Sequence, residues 1–152
     1  MSKELERRFL VVNDNWREAV VKMENIRDGF IFINAIKTVS VRDCGEMATL
    51  TVKIKDGAGS RYEYEYEIPK EDAEEMLTLH CSSNRINKRR YYVAFSDYLW
   101  VVDVFEGAFA GLIMAEIEYD ENNKNVPLPD WIGSEVTADE TYDKYNLLRR
   151  LQ

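Results

Sequence analysis

The stretch Ser60–Ile68 reads Ser-Arg-Tyr-Glu-Tyr-Glu-Tyr-Glu-Ile, in which charged and aromatic side chains alternate. Such alternation is typical of a β-strand, because successive side chains point to opposite faces of a sheet. Ala48–Lys55 alternates in a similar way, and the turn signal Asp56-Gly57-Ala58-Gly59 joins the two segments. The two segments therefore predict an antiparallel hairpin with one strongly charged face.

Five further segments show the same period of two and predict strands: Lys3–Val11, Thr38–Arg42, Asn87–Ala94, Leu99–Phe105 and Leu112–Tyr119. Three segments have helical features: Asn13–Asn25 with one apolar face, Pro69–His80 with an initial proline, and Thr137–Leu151 with a capping box. No linker, repeat or low-complexity block interrupts the chain. We therefore expect residues 1–152 to form a single domain of mainly antiparallel β (α+β) structure.

The composition excludes several classes of protein. The 152 residues carry 28 acidic and 20 basic side chains, and this net charge of -8 argues against binding to nucleic acid or to an anionic membrane. The single histidine, His80, excludes a His-rich zinc site and a two-histidine iron site. The two cysteines are expected to be reduced thiols of a cytoplasmic protein. Met1–Arg8 is too charged for a signal peptide, and the longest apolar run, Phe109–Ala115, is too short to span a bilayer.

The polar faces of the predicted strands carry charges in groups of one sign. Carboxylates stand two residues apart on three strands, as Glu4 and Glu6, Glu63 and Glu65, and Glu116 and Glu118. Basic residues recur in the same way as Lys53 and Lys55, and as Lys88 and Arg90. Two interpretations are open. Either each polar face meets solvent, as in any half-buried sheet, or the sheet closes into a barrel whose charged face points inward.

An inward charged face would support a specific chemistry. Carboxylates at positions i and i+2 of a strand point the same way, about 7 Å apart, and both can reach one hard cation directly or through water. Arginine and lysine at that spacing can pair with successive phosphates of a chain. A cavity that combines a metal, basic residues and carboxylates is suited to phosphoryl transfer on a polyphosphate.

Eight motifs in order, along nearly the whole chain, resemble those of the CYTH domain, also called the triphosphate tunnel metalloenzymes. Glu4–Val11 resembles the E-x-E-x-K strand that marks this family. The other matching segments are Thr38–Arg42, Leu50–Lys53, Ser60–Pro69, Asn87–Val93, Trp100–Phe105, Gly111–Glu118 and Trp131–Thr137. One short charged motif arises by chance, whereas eight in order identify the chain as a member.

The resemblance implies a closed eight-stranded antiparallel β-barrel that encloses a charged tunnel, with a few short helices packed outside. It also implies binding of a linear triphosphate together with Mg²⁺ or Mn²⁺. Family members hydrolyse inorganic tripolyphosphate or thiamine triphosphate, and some are class IV adenylate cyclases. Small bacterial members of about this length look most like tripolyphosphatases. We therefore expect release of the terminal phosphate by a metal-bound water, with no nucleic-acid or membrane partner, in a monomer or a homodimer.

The resemblance assigns roles to individual positions. The carboxylates that match metal ligands are Glu4, Glu6, Glu116 and Glu118, with Asp103 as a further candidate ligand. The basic residues that match phosphate-binding positions are Arg8, Arg42, Lys53, Arg61, Lys88 and Arg90. The residues expected to take part in catalysis are Glu4, Glu6, Arg8 and Lys88.

Four positions depart from the family pattern. The family's lysine in the first strand is Arg8, one arginine is Ser40, a glutamate is Val101, and another arginine is Thr141. Loss of one positioned charge-assisted contact costs roughly 2–4 kcal/mol, or about 10²–10³ in rate. A second function therefore stays open, namely a triphosphate- or polyphosphate-binding protein with weakened catalysis. A third, adenylate cyclase activity, ranks last because no adenine pocket is evident in the sequence.

Overall fold

The computed structural model describes residues 3–81, 83–122 and 125–151. Within these ranges the chain forms nine strands: β1 (Lys3–Val11), β2 (Val20–Ile33), β3 (Lys37–Asp43), β4 (Ala48–Lys55), β5 (Ser60–Ile68), β6 (Arg85–Phe95), β7 (Tyr98–Phe105), β8 (Ile113–Glu118) and β9 (Ile132–Glu135). The helices are α1 (Lys70–Leu79) and α2 (Lys144–Arg149), with 3₁₀ turns at Asn15–Ala19, Gly107–Phe109 and Glu140–Tyr142. None of the helices in these ranges has the length and apolar character needed to cross a membrane.

Eight of the strands close into a ring. Neighbouring strands are antiparallel, and their order is β1, β5, β4, β3, β2, β6, β7, β8 and then β1 again. The ring closes because β1 uses both edges: residues 6–10 pair with β8, while residues 3–5 pair with β5. β9 covers the rest of that second edge, beside Phe9 and Val11. The predicted eight-stranded antiparallel barrel is therefore confirmed.

Where β1 and β5 close the ring, the two backbones approach each other closely. Gly59, just before β5, has a φ of 70°, and its carbonyl oxygen accepts a 2.8 Å hydrogen bond from the amide of Glu6. A Cβ at Gly59 would lie 2.5 Å from the Glu6 carbonyl oxygen and 2.6 Å from Cγ2 of Thr137. Glycine alone combines this left-handed conformation with such a close approach. Gly59 therefore lets β5 begin directly beside the carboxylates of β1.

The longest strand, β2, corrects the prediction of a helix over Asn13–Asn25. The chain makes a short 3₁₀ helix at Asn15–Ala19 and then runs as a 14-residue strand to Ile33. The apolar residues from Trp16 to Met23 have helical spacing, yet Trp16 is buried and Met23 is exposed. Pairing with β3 on one edge and β6 on the other decides the outcome, because strand formation depends on neighbouring strands more than on local pattern.

Apolar clusters cover much of the outside of the barrel. One cluster includes Phe9 and Trp100, where the first 3₁₀ turn and the loop before β9 pack over β1, β6, β7 and β8. A second cluster joins α1 to β3 and β4. α1 also lies close to β2, since a Cβ on Gly29 would stand 2.6 Å from both Leu77 Cδ2 and Cys81 Sγ. α1 therefore packs outside the barrel, as predicted.

The C-terminal helix differs from the prediction in both length and place. The helix predicted over Thr137–Leu151 is reduced to the six residues of α2, because Asp143 is extended and interrupts it. Leu147 of α2 clusters with Phe30 and Phe105, which belong to the inward faces of their strands. Burial of this apolar side of α2 draws the helix into one end of the barrel. α2 therefore closes that end instead of packing outside.

Candidate active site

The interior of the barrel holds a main chamber of about 610 Å³. Charged side chains from seven strands and from α2 line it: Glu4, Glu6, Lys22, Glu24, Arg42, Lys53, Arg61, Glu63, Glu65, Arg90, Glu116, Glu118 and Lys144. Charges of both signs share this one enclosed space. The interpretation with charged faces pointing inward is therefore confirmed, and the interpretation with all polar faces in solvent is wrong.

Arg61 of β5 joins the carboxylates of one wall of the main chamber. Its guanidinium lies 3.0 Å from Glu4, 2.6 Å from Glu6 and 3.4 Å from Glu63. Glu118 of β8 lines the same space. We call the wall formed by β1, β5 and β8 the carboxylate wall, because its negative charges outnumber this one guanidinium.

Crowding changes the protonation of the carboxylate wall. A hydrogen bond to Glu63, together with burial and repulsion from Glu63 and Glu118, raises the pKa of Glu4 to about 8. Burial also opposes the charge of Glu63, but the hydrogen bond from Glu4 and attraction to Lys53 and Arg61 lower the pKa of Glu63 to about 2. At neutral pH the pair Glu4–Glu63 therefore shares one proton.

Further carboxylates of this wall lie where β1 meets β8. Glu6 is directly opposite Glu118 across the two strands. Burial and repulsion from Glu116 raise the pKa of Glu6. Burial opposes the charge of Glu116 as well, but Arg90 and Lys144 help to outweigh it, and the pKa of Glu116 is lowered to about 2. Glu116 therefore stays ionised while Glu6 resists ionisation.

The wall formed by β2, β3, β6 and β7 contains a buried network of ion pairs, and we call it the cation wall. Arg42 makes two bonds to Asp28, at 2.8 Å and 2.9 Å. Lys88 lies 3.8 Å from Asp28 and 3.0 Å from Asp103. Arg90 makes two 2.9 Å bonds to Asp103. Because every member is paired, the network fixes the guanidinium groups of Arg42 and Arg90 at the chamber surface.

Asp28 is a member of the cation wall that the sequence prediction missed. Burial opposes the charge of Asp28, but Arg42 and Lys88 lower its pKa well below its usual range. The helical spacing in the first half of β2 hides the inward face to which Asp28 belongs. The signal that could have found it is the series Lys22, Glu24 and Asp28, which has the even spacing of one strand face.

Two lysines reach the main chamber from other elements. Lys53 of β4 lies 3.7 Å from Glu63, and burial together with repulsion from Arg61 lowers the pKa of Lys53. Lys144 is the first residue of α2, and repulsion from Lys88 together with burial lowers its pKa well below the usual value. No sequence motif marks Lys144, because its position depends on the insertion of α2 into the barrel.

Arg8 lies in a second cavity of about 160 Å³ at the α2 end of the barrel. Its guanidinium donates to the Asp143 carboxylate at 2.8 Å and to the carbonyl oxygens of Thr137 and Tyr142 at 3.3 Å and 3.4 Å. Arg8 is not among the described residues that line the main chamber. The two cavities adjoin, because six side chains line both: Glu6, Arg42, Lys53, Arg61, Glu116 and Lys144.

Comparison with known proteins identifies the family. No family model matches the chain. An inorganic triphosphatase of Acetivibrio thermocellus is 42% identical over 149 residues, which cover 98% of this chain and 95% of that protein. The chain belongs to the CYTH family. The assignment from the eight motifs is therefore confirmed.

Two further CYTH relatives extend the comparison. An inorganic triphosphatase of Nitrosomonas europaea is 32% identical over 145 residues, which cover 91% of this chain and 92% of that protein. A crystal structure of an inorganic triphosphatase matches this barrel with a TM-score of 0.70 at 28% identity, over 97% of this chain and 95% of that one. The similarity therefore includes nearly the whole fold.

The four departures from the CYTH pattern lie in different surroundings. Arg8 is held in the second cavity, and Ser40 lines that cavity as well. Val101 lines the main chamber. The hydroxyl of Thr141 donates to Asp139 at 2.6 Å in the turn before α2. The main chamber therefore lacks one carboxylate, at Val101, and the second cavity lacks one cation, at Ser40.

The predicted site residues thus divide into three groups. Those in the main chamber are Glu4, Glu6, Arg42, Lys53, Arg61, Arg90, Glu116 and Glu118. Lys88 is 1% exposed and Asp103 is 2% exposed, so both lie inside the cation wall, behind the chamber surface. Arg8 lines the second cavity and not the main chamber. Within residues 3–81, 83–122 and 125–151, no three carboxylates, histidines or cysteines are arranged to hold a metal ion.

Proposed function

We propose that this chain is a triphosphatase that hydrolyses inorganic tripolyphosphate and releases its terminal phosphate. The observation that carries the proposal is the enclosed chamber of about 610 Å³, in which crowded carboxylates face fixed guanidinium groups. A linear triphosphate is a compact polyanion, and a cavity with a cluster of cations on one wall concentrates it better than an open surface does. The curated relatives named inorganic triphosphatase support the same activity.

The basic residues of the main chamber would bind the phosphate oxygens, and they are Arg42, Lys53, Arg61 and Arg90. The cation wall already orients Arg42 and Arg90, so little reorganisation is needed when the substrate binds. As the bond to the terminal phosphorus breaks, negative charge shifts among the phosphate oxygens, and these cations stabilise it. Lys88 would add its charge from inside the cation wall, behind the chamber surface, and Arg8 would act from the second cavity.

We propose that Mg²⁺ or Mn²⁺ binds at the carboxylate wall. No three of the described carboxylates stand ready to hold it, so ligation there requires Glu4 and Glu6 to release Arg61. A cation already bridges these oxygens, because the Arg61 guanidinium contacts both Glu4 and Glu6. Carboxylates in a partly hydrated site are the ligands that Mg²⁺ prefers. The residues that would hold the ion are Glu4, Glu6, Glu116 and Glu118. When bound, such an ion polarises phosphoryl oxygens and lowers the pKa of water.

Asp103 has a different place in this scheme. Its two oxygens are engaged by Lys88 at 3.0 Å and by Arg90 at 2.9 Å. It could ligate a metal ion only by releasing these partners. We therefore propose that Asp103 positions Arg90, and its role as a metal ligand stays a prediction from the family pattern.

A second candidate function is binding of a triphosphate with little turnover. The observation that favours it is the engagement of Arg8 by Asp143, which removes one cation from the reach of substrate. Ser40 and Val101 remove further charge relative to the family pattern. Such a protein would be stabilised by tripolyphosphate without releasing phosphate.

The test is phosphate release from tripolyphosphate, ATP and thiamine triphosphate, each with Mg²⁺ or Mn²⁺. We expect release from tripolyphosphate, with a rate lowered about 10²–10³-fold in Glu118→Ala. The matched control is Glu75→Ala, at an exposed position of α1, which should leave the rate unchanged. Thermal stabilisation without release would indicate the binding protein, and pyrophosphate with cyclic AMP from ATP would indicate a cyclase. A rate unaffected by Glu118→Ala would contradict the site.

We also propose that residues 1–152 act as one catalytic domain on a free triphosphate. The net charge of -8 supports a partner other than nucleic acid or an anionic membrane. The free thiols of Cys44 and Cys81 are typical of the cytoplasm, where we expect the enzyme to act. Light scattering after size-exclusion chromatography would distinguish the two expected states, monomer and homodimer.

A further inference from the structure

Asp143 occupies the N-cap position of α2 but does not cap the helix. An aspartate at this position normally accepts a hydrogen bond from an amide of the first helical turn, and the Asp143 side chain makes no such bond. Its Oδ1 instead accepts from Arg8 at 2.8 Å, and its Oδ2 accepts from Lys55 at 2.9 Å. Asp139 nearby does act locally, since it accepts from the amide of Thr141. The Asp143 carboxylate therefore binds two cations that are distant in the sequence and does not cap its own helix.

Both of these cations belong to the interior of the barrel. Arg8 follows Glu6 on the inward face of β1, and Lys55 follows Lys53 on the inward face of β4. Both line the second cavity, which adjoins the main chamber. The side chain of Arg8 is 14% exposed and that of Lys55 is 33% exposed. In such a partly desolvated place, charge-assisted hydrogen bonds are stronger than at the surface.

We propose that Asp143 is a built-in competitor for a phosphate group of the substrate and thereby sets the affinity for triphosphate. A carboxylate held by an arginine and a lysine uses the same donors that would bind a terminal phosphate. While Asp143 holds them, its single negative charge offsets half of the combined charge of Arg8 and Lys55, and its two oxygens occupy the donors that a phosphate would use. The negative charge of Asp143 also repels an incoming polyanion. Substrate that reaches the second cavity therefore has to displace Asp143 from both cations.

This inference rests on the proposed function, because a triphosphate has to enter the barrel. Its expected effect has the opposite sign to that of most substitutions near a binding site, since removal of a charged residue strengthens binding. Asp143 acts through Arg8 and Lys55 and does not touch the substrate. Its substitution should therefore lower KM and leave kcat nearly unchanged.

The variant Asp143→Asn tests the inference. Asparagine has nearly the same shape, lacks the charge and is an equally good N-cap, so α2 can still begin there. We expect the Kd and KM for tripolyphosphate to fall about three- to tenfold. The matched control is Glu140→Gln, whose carboxylate lies 4.0 Å from Lys55 but is 77% exposed, and its affinity should equal that of the wild type. Asp143→Ser, which also preserves an N-cap residue, should reproduce the effect if the first variant does not fold.

Calorimetric titration with tripolyphosphate keeps this test separate from turnover. A wild-type protein that binds tripolyphosphate but releases no phosphate would overturn the proposed triphosphatase function and leave the comparison of Kd values valid. An unchanged or higher Kd in the Asp143 variants would overturn the competitor role. Failure of both wild type and Asp143→Asn to bind tripolyphosphate would overturn it as well.

Discussion

The two walls of the main chamber are built in opposite ways. In the cation wall, Asp28 and Asp103 are 3% and 2% exposed and are fully paired with cations. In the carboxylate wall, Arg61 contacts Glu4, Glu6 and Glu63. The hydrogen bond to Glu63, together with burial and repulsion from nearby carboxylates, raises the pKa of Glu4 to about 8, so Glu4 is protonated at neutral pH. The charged groups of the cation wall are all paired before any ligand binds, whereas an added cation would reduce the repulsion among the carboxylates of the other wall. This difference suits a site that receives a polyanion together with a metal ion.

Breaking the cation wall should have the largest effect on stability. Asp28→Ala leaves Arg42 without its buried carboxylate partner and leaves Lys88 with Asp103 alone. Removal of one member of a buried ion pair costs roughly 3–5 kcal/mol. We expect the free energy of unfolding in urea to fall by about that amount, with a parallel loss of tripolyphosphate hydrolysis.

The pH dependence of Asp28→Asn provides a check on the same network. Burial opposes the charge of Asp28, but Arg42 and Lys88 lower its pKa, so the folded protein does not take up this proton near pH 4, whereas the unfolded chain does. The stability contributed by Asp28 is therefore present above about pH 4 and is lost as the pH falls further. The difference in unfolding free energy between wild type and variant should shrink below that pH. A difference that grows toward low pH, or an Asp28→Ala loss below about 1 kcal/mol, would contradict the contrast between the walls.

Relieving the carboxylate wall should cost activity but not stability. Glu6→Gln removes a charge that burial and Glu116 disfavour, so the unfolding free energy should stay unchanged or rise. Loss of this oxygen ligand should lower tripolyphosphate hydrolysis about 10²-fold. Mg²⁺ should also raise the melting temperature of the wild type more than that of the variant. A variant as unstable as Asp28→Ala would show that both walls are structural networks.

Restoring the family's charges should have the smallest effect. The double variant Arg8→Lys with Ser40→Arg adds one cation to the second cavity. We expect tripolyphosphate hydrolysis to rise by about two- to fivefold, because this cavity is beside the main chamber and part of the added charge is screened. The rate of phosphate release at saturating Mg²⁺ is the measurement. If the double variant is no faster, these departures do not limit the enzyme.

The charged interior could be predicted because strand alternation is a local property. Once the inward faces of β1, β4 and β8 are known, closure of the sheet places Glu6, Lys53 and Glu118 around one space. The same method fails at β2, where apolar residues from Trp16 to Met23 have helical spacing although the chain is mostly extended. Because β2 was not predicted as a strand, the inward position of Asp28 was not predicted either.

Contacts between distant segments could not be predicted from local pattern. Asp143 meets Arg8 across 135 positions and Lys55 across 88, and both contacts depend on the insertion of α2 into the barrel. The place of Lys144 depends on the same insertion. Lys88 was predicted as a site residue from the family pattern, but packing against β2 and β7 decides that it lies behind the chamber surface.

The most direct test of the charged chamber as the substrate site is a crystal structure of the protein grown with tripolyphosphate. We predict phosphate density inside the main chamber, within hydrogen-bond distance of Arg42, Lys53 and Arg90. Phosphate density confined to the outer surface, or a chamber that stays free of phosphate at saturating tripolyphosphate, would contradict this prediction.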